Sequence, residues 1–156
     1  MADSPGSQGR PLSTSGQEMT NNSHFIHPVR IYYEDTDAGG VVYYANYLRF
    51  MERARTEWLD SLGVGVSWLE REAGLQFVVS EASLKYHQPA ELGDHLGVSV
   101  ENVKSGGASL SLSQKVNRGG DLLCSGIFRI ATVDSASLRP RRLPRELARL
   151  LETIER

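Results

Sequence analysis

The sequence predicts an α+β domain in which an antiparallel sheet of about five strands wraps around one long central helix. Three observations carry that expectation. A single stretch of helical period runs from Tyr44 to Leu62. Four strand-like runs follow it, joined by links too short for parallel crossovers, so they pair antiparallel. One further alternating run stands before the helix. With one long helix available to cover the sheet, the economical packing curls the sheet around it. Such a sheet keeps an edge strand, and pairing edges between copies removes that liability, so a homodimer or homotetramer is expected.

Each element has its own signal. PVRIYYE (28–34) alternates, with Val29, Ile31 and Tyr33 on one face and Arg30, Tyr32 and Glu34 on the other, as a strand does. The loop DTDAGG follows, its glycines open to backbone angles that other residues avoid. Tyr44, Tyr47, Leu48, Met51, Ala54, Trp58, Leu59 and Leu62 then form one broad helical stripe, with Arg49, Glu52, Arg53 and Glu57 off it. Gly63 stands where a helix C-terminus favours glycine. At 1.5 Å per residue the helix would be about 28 Å long, enough to cross a small domain.

Strands dominate the remainder. GLQFVVSEASLKYH (74–87) is β-prone and ends at the turn-like QPAELGD. HLGVSVENV (95–103) reaches an SGG turn, and ASLSLSQKV (108–116) alternates Leu110 and Leu112 against Ser109, Ser111 and Ser113. NRGG (117–120) is a hairpin turn, and LLCSGIFRIATV (122–133) is the longest and most apolar strand. PRELARLLETIE (144–155) reads as a terminal helix, with Pro144 near its first turn and Leu147, Leu150, Leu151 and Ile154 on one face.

Composition bounds what this domain does. The 156 residues carry 17 Lys+Arg against 19 Asp+Glu, a net charge of −2, which gives no general electrostatic reason to seek nucleic acid or an anionic membrane. The single cysteine makes no internal disulfide, and no run approaches a membrane span, so a cytoplasmic protein is expected. Residues 1–24, rich in Ser, Gly, Pro, Asn and Thr, are expected to be a disordered arm, leaving 25–156 as one domain.

The chemistry concentrates in EDTDAGGVVYYANY. Asp35 and Asp37 sit in a Gly-rich turn just before the long helix, where free backbone N–H groups and the positive end of the helix dipole favour an anion. A carboxylate beside an oxyanion donor suits acyl-transfer hydrolysis; a turn-capping role is the plainer alternative. The loop fails as a calcium site. Counted from Asp35, ligand positions fall on Gly39, which has no side chain, and on Asn46, which offers no bidentate carboxylate.

From Arg30-Ile31 through Thr36-Asp37, Gly40-Val41-Val42 and Tyr47, the segment 27–63 closely resembles the start of the hotdog-fold thioesterases of the 4-hydroxybenzoyl-CoA thioesterase superfamily. The nearest branch is the tol-pal-associated acyl-CoA thioesterases, and the resemblance continues more loosely to about residue 133. It implies that Asp37 is the catalytic carboxylate, acting as nucleophile or as general base. It also implies that the Tyr44 backbone N–H polarises the thioester carbonyl, that Gly40, Val41 and Tyr47 contact substrate, and that sites are shared across a subunit interface. No cofactor is implied. Tyr44 stands where the tol-pal-associated branch usually has His, which leaves the reaction class intact and opens the choice of substrate.

Other residues carry lesser expectations. Glu34 and Asp35 are surface or capping groups; Tyr33 and Tyr47 are core residues or acyl-pocket walls; Asn46 sets or caps the helix start. The histidines at 24, 27, 87 and 95 lack metal-ligand spacing, and Cys124 reads as an inert buried thiol. Lys104, Ser105 and Gly106, with Arg129 or the Arg139, Arg141 and Arg142 cluster, are candidates for holding CoA. The expected partners are an acyl-CoA substrate, an acyl carrier protein and further copies of the chain. Two function classes follow. One is an acyl-CoA thioesterase; the other is a non-catalytic module that binds acyl-CoA or acyl carrier protein.

Overall fold

The computed structural model describes residues 24–155; the arm expected over 1–24 lies outside them except for His24. Strand β1 (Phe25–Arg30) is followed by a short 3-10 turn (Tyr33–Asp35) and helix α1 (Asn46–Ser61). A short helical segment, α2 (Val66–Trp68), continues as a wide turn over Leu69–Ala73. Then come β2 (Leu75–Tyr86), β3 (His95–Gly106), β4 (Ser109–Arg118), β5 (Asp121–Asp134) and α3 (Arg145–Glu155). The strands form one antiparallel sheet in the order β1-β3-β4-β5-β2. Hairpins link β3 to β4 and β4 to β5, whereas β2 crosses to the far edge beside β5.

The alternation in β4 explains how the sheet meets α1. Leu110, Leu112, Gln114 and Val116 are buried, while Ser109, Ser111 and Ser113 between them are half-buried. From the helix, Tyr47, Phe50, Met51, Ala54, Trp58 and Leu59 enter the same core. Gly126 on β5 lies beneath the helix, where a Cβ would come within 3.1 Å of Met51 Sδ. Helix α3 packs beside β3 through Leu147 and Leu151, both fully buried.

Several boundaries differ from the sequence expectation, each for a physical reason. The first strand lies at Phe25–Arg30 rather than 28–34, because Tyr33–Asp35 closes into a 3-10 turn. Tyr33 is 81% exposed there and belongs to neither core nor pocket. Helix α1 begins at Asn46, two residues after Tyr44, because tertiary partners take the backbone groups ahead of it. Tyr43 N–H donates to Asp35 O, and Tyr44 O accepts from the Tyr86 hydroxyl. Tyr44 and Leu48 are therefore exposed rather than on the buried stripe, and Phe50 takes the place in the core. At the other end Gly63, at φ +81°, lets Val64 N–H reach back to Leu59 O and closes the helix as expected.

Candidate active site

Residues 36–42 form a miniature hairpin. Thr36 pairs with Val42, Asp37 N–H donates to Val41 O at 2.9 Å, and Gly40 N–H donates to Asp37 O at 3.0 Å. Gly40 has φ +85°, a left-handed conformation that a side chain would strain. Asp37 Oδ1 accepts the Gly39 N–H at 2.8 Å, and a Cβ on Gly39 would press to 3.3 Å of that oxygen. One carboxylate oxygen is thus held by its own turn, and the exposed side chain presents the other outward.

The start of α1 is fastened to this loop through one carbonyl. Asp35 O accepts both the Tyr43 N–H at 3.0 Å and the Asn46 side-chain amide at 2.9 Å. Asn46 sets the helix start in this way and is not a side-chain cap; Ala45 stands at the cap and offers none. The Asp35 carboxylate caps its own 3-10 turn by accepting the Tyr32 N–H. Asn46 N–H donates to Tyr43 O at 2.8 Å, which directs that carbonyl into the turn. The Tyr44 N–H lies in the same peptide plane and points the opposite way. It meets no acceptor among the described residues, and Tyr44 is exposed.

Behind this turn the β2–β3 loop supplies a wall. Val42 N–H donates to Ala90 O, and Ala90 N–H donates to the Tyr47 hydroxyl at 3.1 Å. Arg118 braces the loop, donating to Asp94 Oδ2 at 2.8 Å and to Pro89 O at 3.3 Å. Partial burial works against the Asp94 charge, but the Glu91 N–H and the Arg118 guanidinium outweigh it and hold the carboxyl below its ordinary range. Burial raises the phenols of Tyr47 and Tyr86 above their usual value, so both stay protonated. Val42, Tyr44, Tyr47, Tyr86, His87 and Pro89 line a cavity of about 270 Å³. Tyr47 is therefore both core residue and pocket wall.

The expected site residues divide into two groups. Asp37, Gly40, Val41 and Tyr44 lie in the β1–α1 loop, and Tyr47 lies in the first turn of α1, lining the same cavity as Tyr44. Lys104, Ser105 and Gly106 lie at the far end of β3, whose first residue pairs with Arg30 beside the loop. Lys104 is nine residues along that strand, about 30 Å away, so one protomer does not bring these residues to Asp37. Arg141 is committed to Asp134 at 3.3 Å and to Gly74 O at 3.1 Å. Among the described residues no three His, Cys, Asp or Glu side chains converge as metal ligands. Reading by motif missed Tyr86, whose hydroxyl and ring both reach Tyr44. Its signal was an aromatic residue ending a strand at the HQPA turn.

Residues 31–151 match the Thioesterase-like superfamily. The chain is 42% identical over 123 residues to the acyl-CoA thioesterase YbgC of Haemophilus influenzae, covering 79% of this chain and 90% of that one. It is 35% identical over 92 residues to a 1,4-dihydroxy-2-naphthoyl-CoA hydrolase of Thermosynechococcus vestitus, covering 58% and 63% of the two chains. Among solved structures, a probable thioesterase from Bartonella henselae superposes with a TM-score of 0.74 at 32% identity, covering 78% of this chain and 99% of that one.

Proposed function

The chain belongs to the Thioesterase-like superfamily and is an acyl-CoA thioesterase, and from that premise we propose that Asp37 and the Tyr44 backbone N–H perform the hydrolysis. The observation that carries the reading is the hydrogen-bond frame that joins their two segments. Asp35 O ties the start of α1 to the strand of loop that bears Asp37, leaving one exposed carboxylate and one unused N–H. The thioester carbonyl oxygen accepts the Tyr44 N–H, which stabilises the negative charge that develops there. Asp37 attacks the carbonyl carbon or takes a proton from a water that does so. The carbon–sulfur bond breaks and CoA leaves as a thiolate that is protonated. In the general-base route water supplies the oxygen of the released acid; in the direct route water cleaves the acyl–Asp37 anhydride, freeing the acid and restoring the carboxylate. A thiolate is a good leaving group, so the site needs no strong general acid.

The same reading assigns two copies to the working unit. Among the described residues strand β2 has no partner on its outer edge, and Val78, Val79 and Tyr86 on it are 44–49% exposed. A long apolar edge of this kind invites pairing with a second copy. Such pairing would also be the route by which Lys104, Ser105 and Gly106 approach a neighbouring site and contact CoA. Among the described residues no helix is long and apolar enough to cross a membrane, which fits a cytoplasmic assignment.

A panel of aliphatic and aromatic acyl-CoA substrates, read by thiol release, tests the proposal and sets the substrate class. Asp37→Asn should lower turnover about 10²- to 10⁴-fold across the panel; unchanged rates on every substrate would sink the assignment. Single-turnover hydrolysis in oxygen-18 water adds the route, because label in the Asp37 carboxylate marks direct attack by the side chain.

A further inference from the structure

We infer that Tyr86 is a positioning residue for this hydrolysis, holding Tyr44 at its carbonyl and ring so that the N–H on the peptide before it stays aimed at the thioester oxygen. The inference rests on the site reading above and adds a residue from a different element. In the turn before α1, the carbonyls of Tyr43 and Ala45 are taken locally, by Asn46 N–H at 2.8 Å and Leu48 N–H at 3.2 Å. The Tyr44 carbonyl between them is not taken locally. The Tyr86 hydroxyl, at the end of β2, donates to it at 3.0 Å. That bond crosses from the sheet to the turn and fixes the peptide plane immediately after the Tyr44 Cα.

The rings add a second grip. Tyr86 lies edge-on to Tyr44 at 6.2 Å and to Tyr47 at 5.6 Å between centroids, and the Tyr47 hydroxyl is itself anchored by Ala90 N–H. Tyr44 is thus held at its carbonyl and its ring by one side chain, with Asn46 holding the peptide ahead of it. Without the Tyr86 hydroxyl, Tyr44 O loses its partner and the residue gains freedom about its own backbone. Among the described residues no other side chain donates to the Tyr44 carbonyl. Burial keeps the phenol protonated, so it remains a donor throughout the neutral and mildly alkaline range.

The test is Tyr86→Phe, which removes one oxygen and keeps the ring. We expect kcat to fall about 5- to 30-fold, less than the loss of an oxyanion donor itself, with KM within about twofold and an unchanged pH profile. The loss should be the same for short aliphatic, long aliphatic and aromatic acyl groups, because the carbonyl is common to all of them. Tyr86→Leu, which also removes the ring, should show at least the same loss in kcat and in addition a lower thermal midpoint. A wild-type kcat in Tyr86→Phe overturns the inference. So does a loss that changes with the acyl group, which would make Tyr86 a pocket wall instead. Asp37→Asn run beside them keeps the two readings apart: if it retains turnover the site assignment itself fails, and if it alone is inactive only the role of Tyr86 fails.

Discussion

The start of α1 and its middle are built on opposite principles. In the turn Tyr43–Ala45 the tyrosine rings are exposed, and position is set by hydrogen bonds to Asp35 O and from Tyr86. Two turns further on, Phe50, Met51 and Ala54 are at most 1% exposed, and position is set by packing against the sheet. Packing tolerates small displacements of atoms but resists loss of volume. A hydrogen-bonded turn has little volume to lose, yet it points a peptide in one direction. On the proposed assignment stability and chemistry reside in different residues of one continuous segment, and substitutions should separate them.

The largest separation should come from Asp37→Asn. Losing the proposed nucleophile or general base should lower kcat by about 10²- to 10⁴-fold. The exposed side chain keeps its amide oxygen for the Gly39 N–H, so the thermal midpoint should stay within a few degrees. Phe50→Ala should do the reverse. Removing a fully buried aromatic ring from the α1–sheet core costs about 3–5 kcal/mol. Denaturant unfolding should show that loss, while kcat per folded molecule stays close to the parent value. A Phe50→Ala protein with intact stability, or an Asp37→Asn protein that melts as early as Phe50→Ala, would break the comparison.

The parts legible in the sequence are those where local pattern and tertiary packing agree. The four strands after the helix are β-prone or alternating runs bounded by turn-like, glycine-bearing links, and β2 through β5 fall close to where those signals put them. The Asp37 loop is legible for a similar reason, since its glycines are required by its own backbone. The start of α1 is not, because helical period continues through Tyr44 while Asp35 O and the Tyr86 hydroxyl remove that residue from the helix. Asp35 lies 8 residues from its partner Tyr43 and Tyr86 lies 42 from Tyr44, and a local pattern does not contain them. The same holds for the wide turn after Trp68, which has no strong period and is shaped by its contacts with the sheet.

A smaller effect lies at the middle of the helix, where one polar group serves the packed region. Gln114 is 1% exposed. Its Oε1 accepts from Arg55 Nη1 at 2.8 Å, and its Nε2 donates to Met51 O and Ser99 O. Arg55 also stacks over the Phe128 ring at 4.5 Å, and burial lowers its pKa. Gln114→Met preserves the volume but leaves a guanidinium and two carbonyls without that partner, at a cost of about 1–3 kcal/mol. Urea unfolding should report it, and kcat should not change. A neutral result would mean that packing alone holds the helix to β4 at this point.

The smallest expected effect concerns Cys124, which sits beneath the pocket residues on β5 and is fully buried. Burial pushes its thiol up to about 12. The sign follows from the charge: the interior disfavours the thiolate, so the neutral form persists through the assay range. At pH 8 the thiolate is about one part in 10⁴, and the thiolate is the species that reacts with a disulfide reagent. The native protein should give no reaction on the time scale of turnover, and the denatured protein should give one equivalent from its single cysteine. The point bears on the activity measurements, because CoA release is read with the same reagent. Rapid labelling of the native protein would show that β5 opens beneath the pocket, and would remove this strand from the packed region of the molecule.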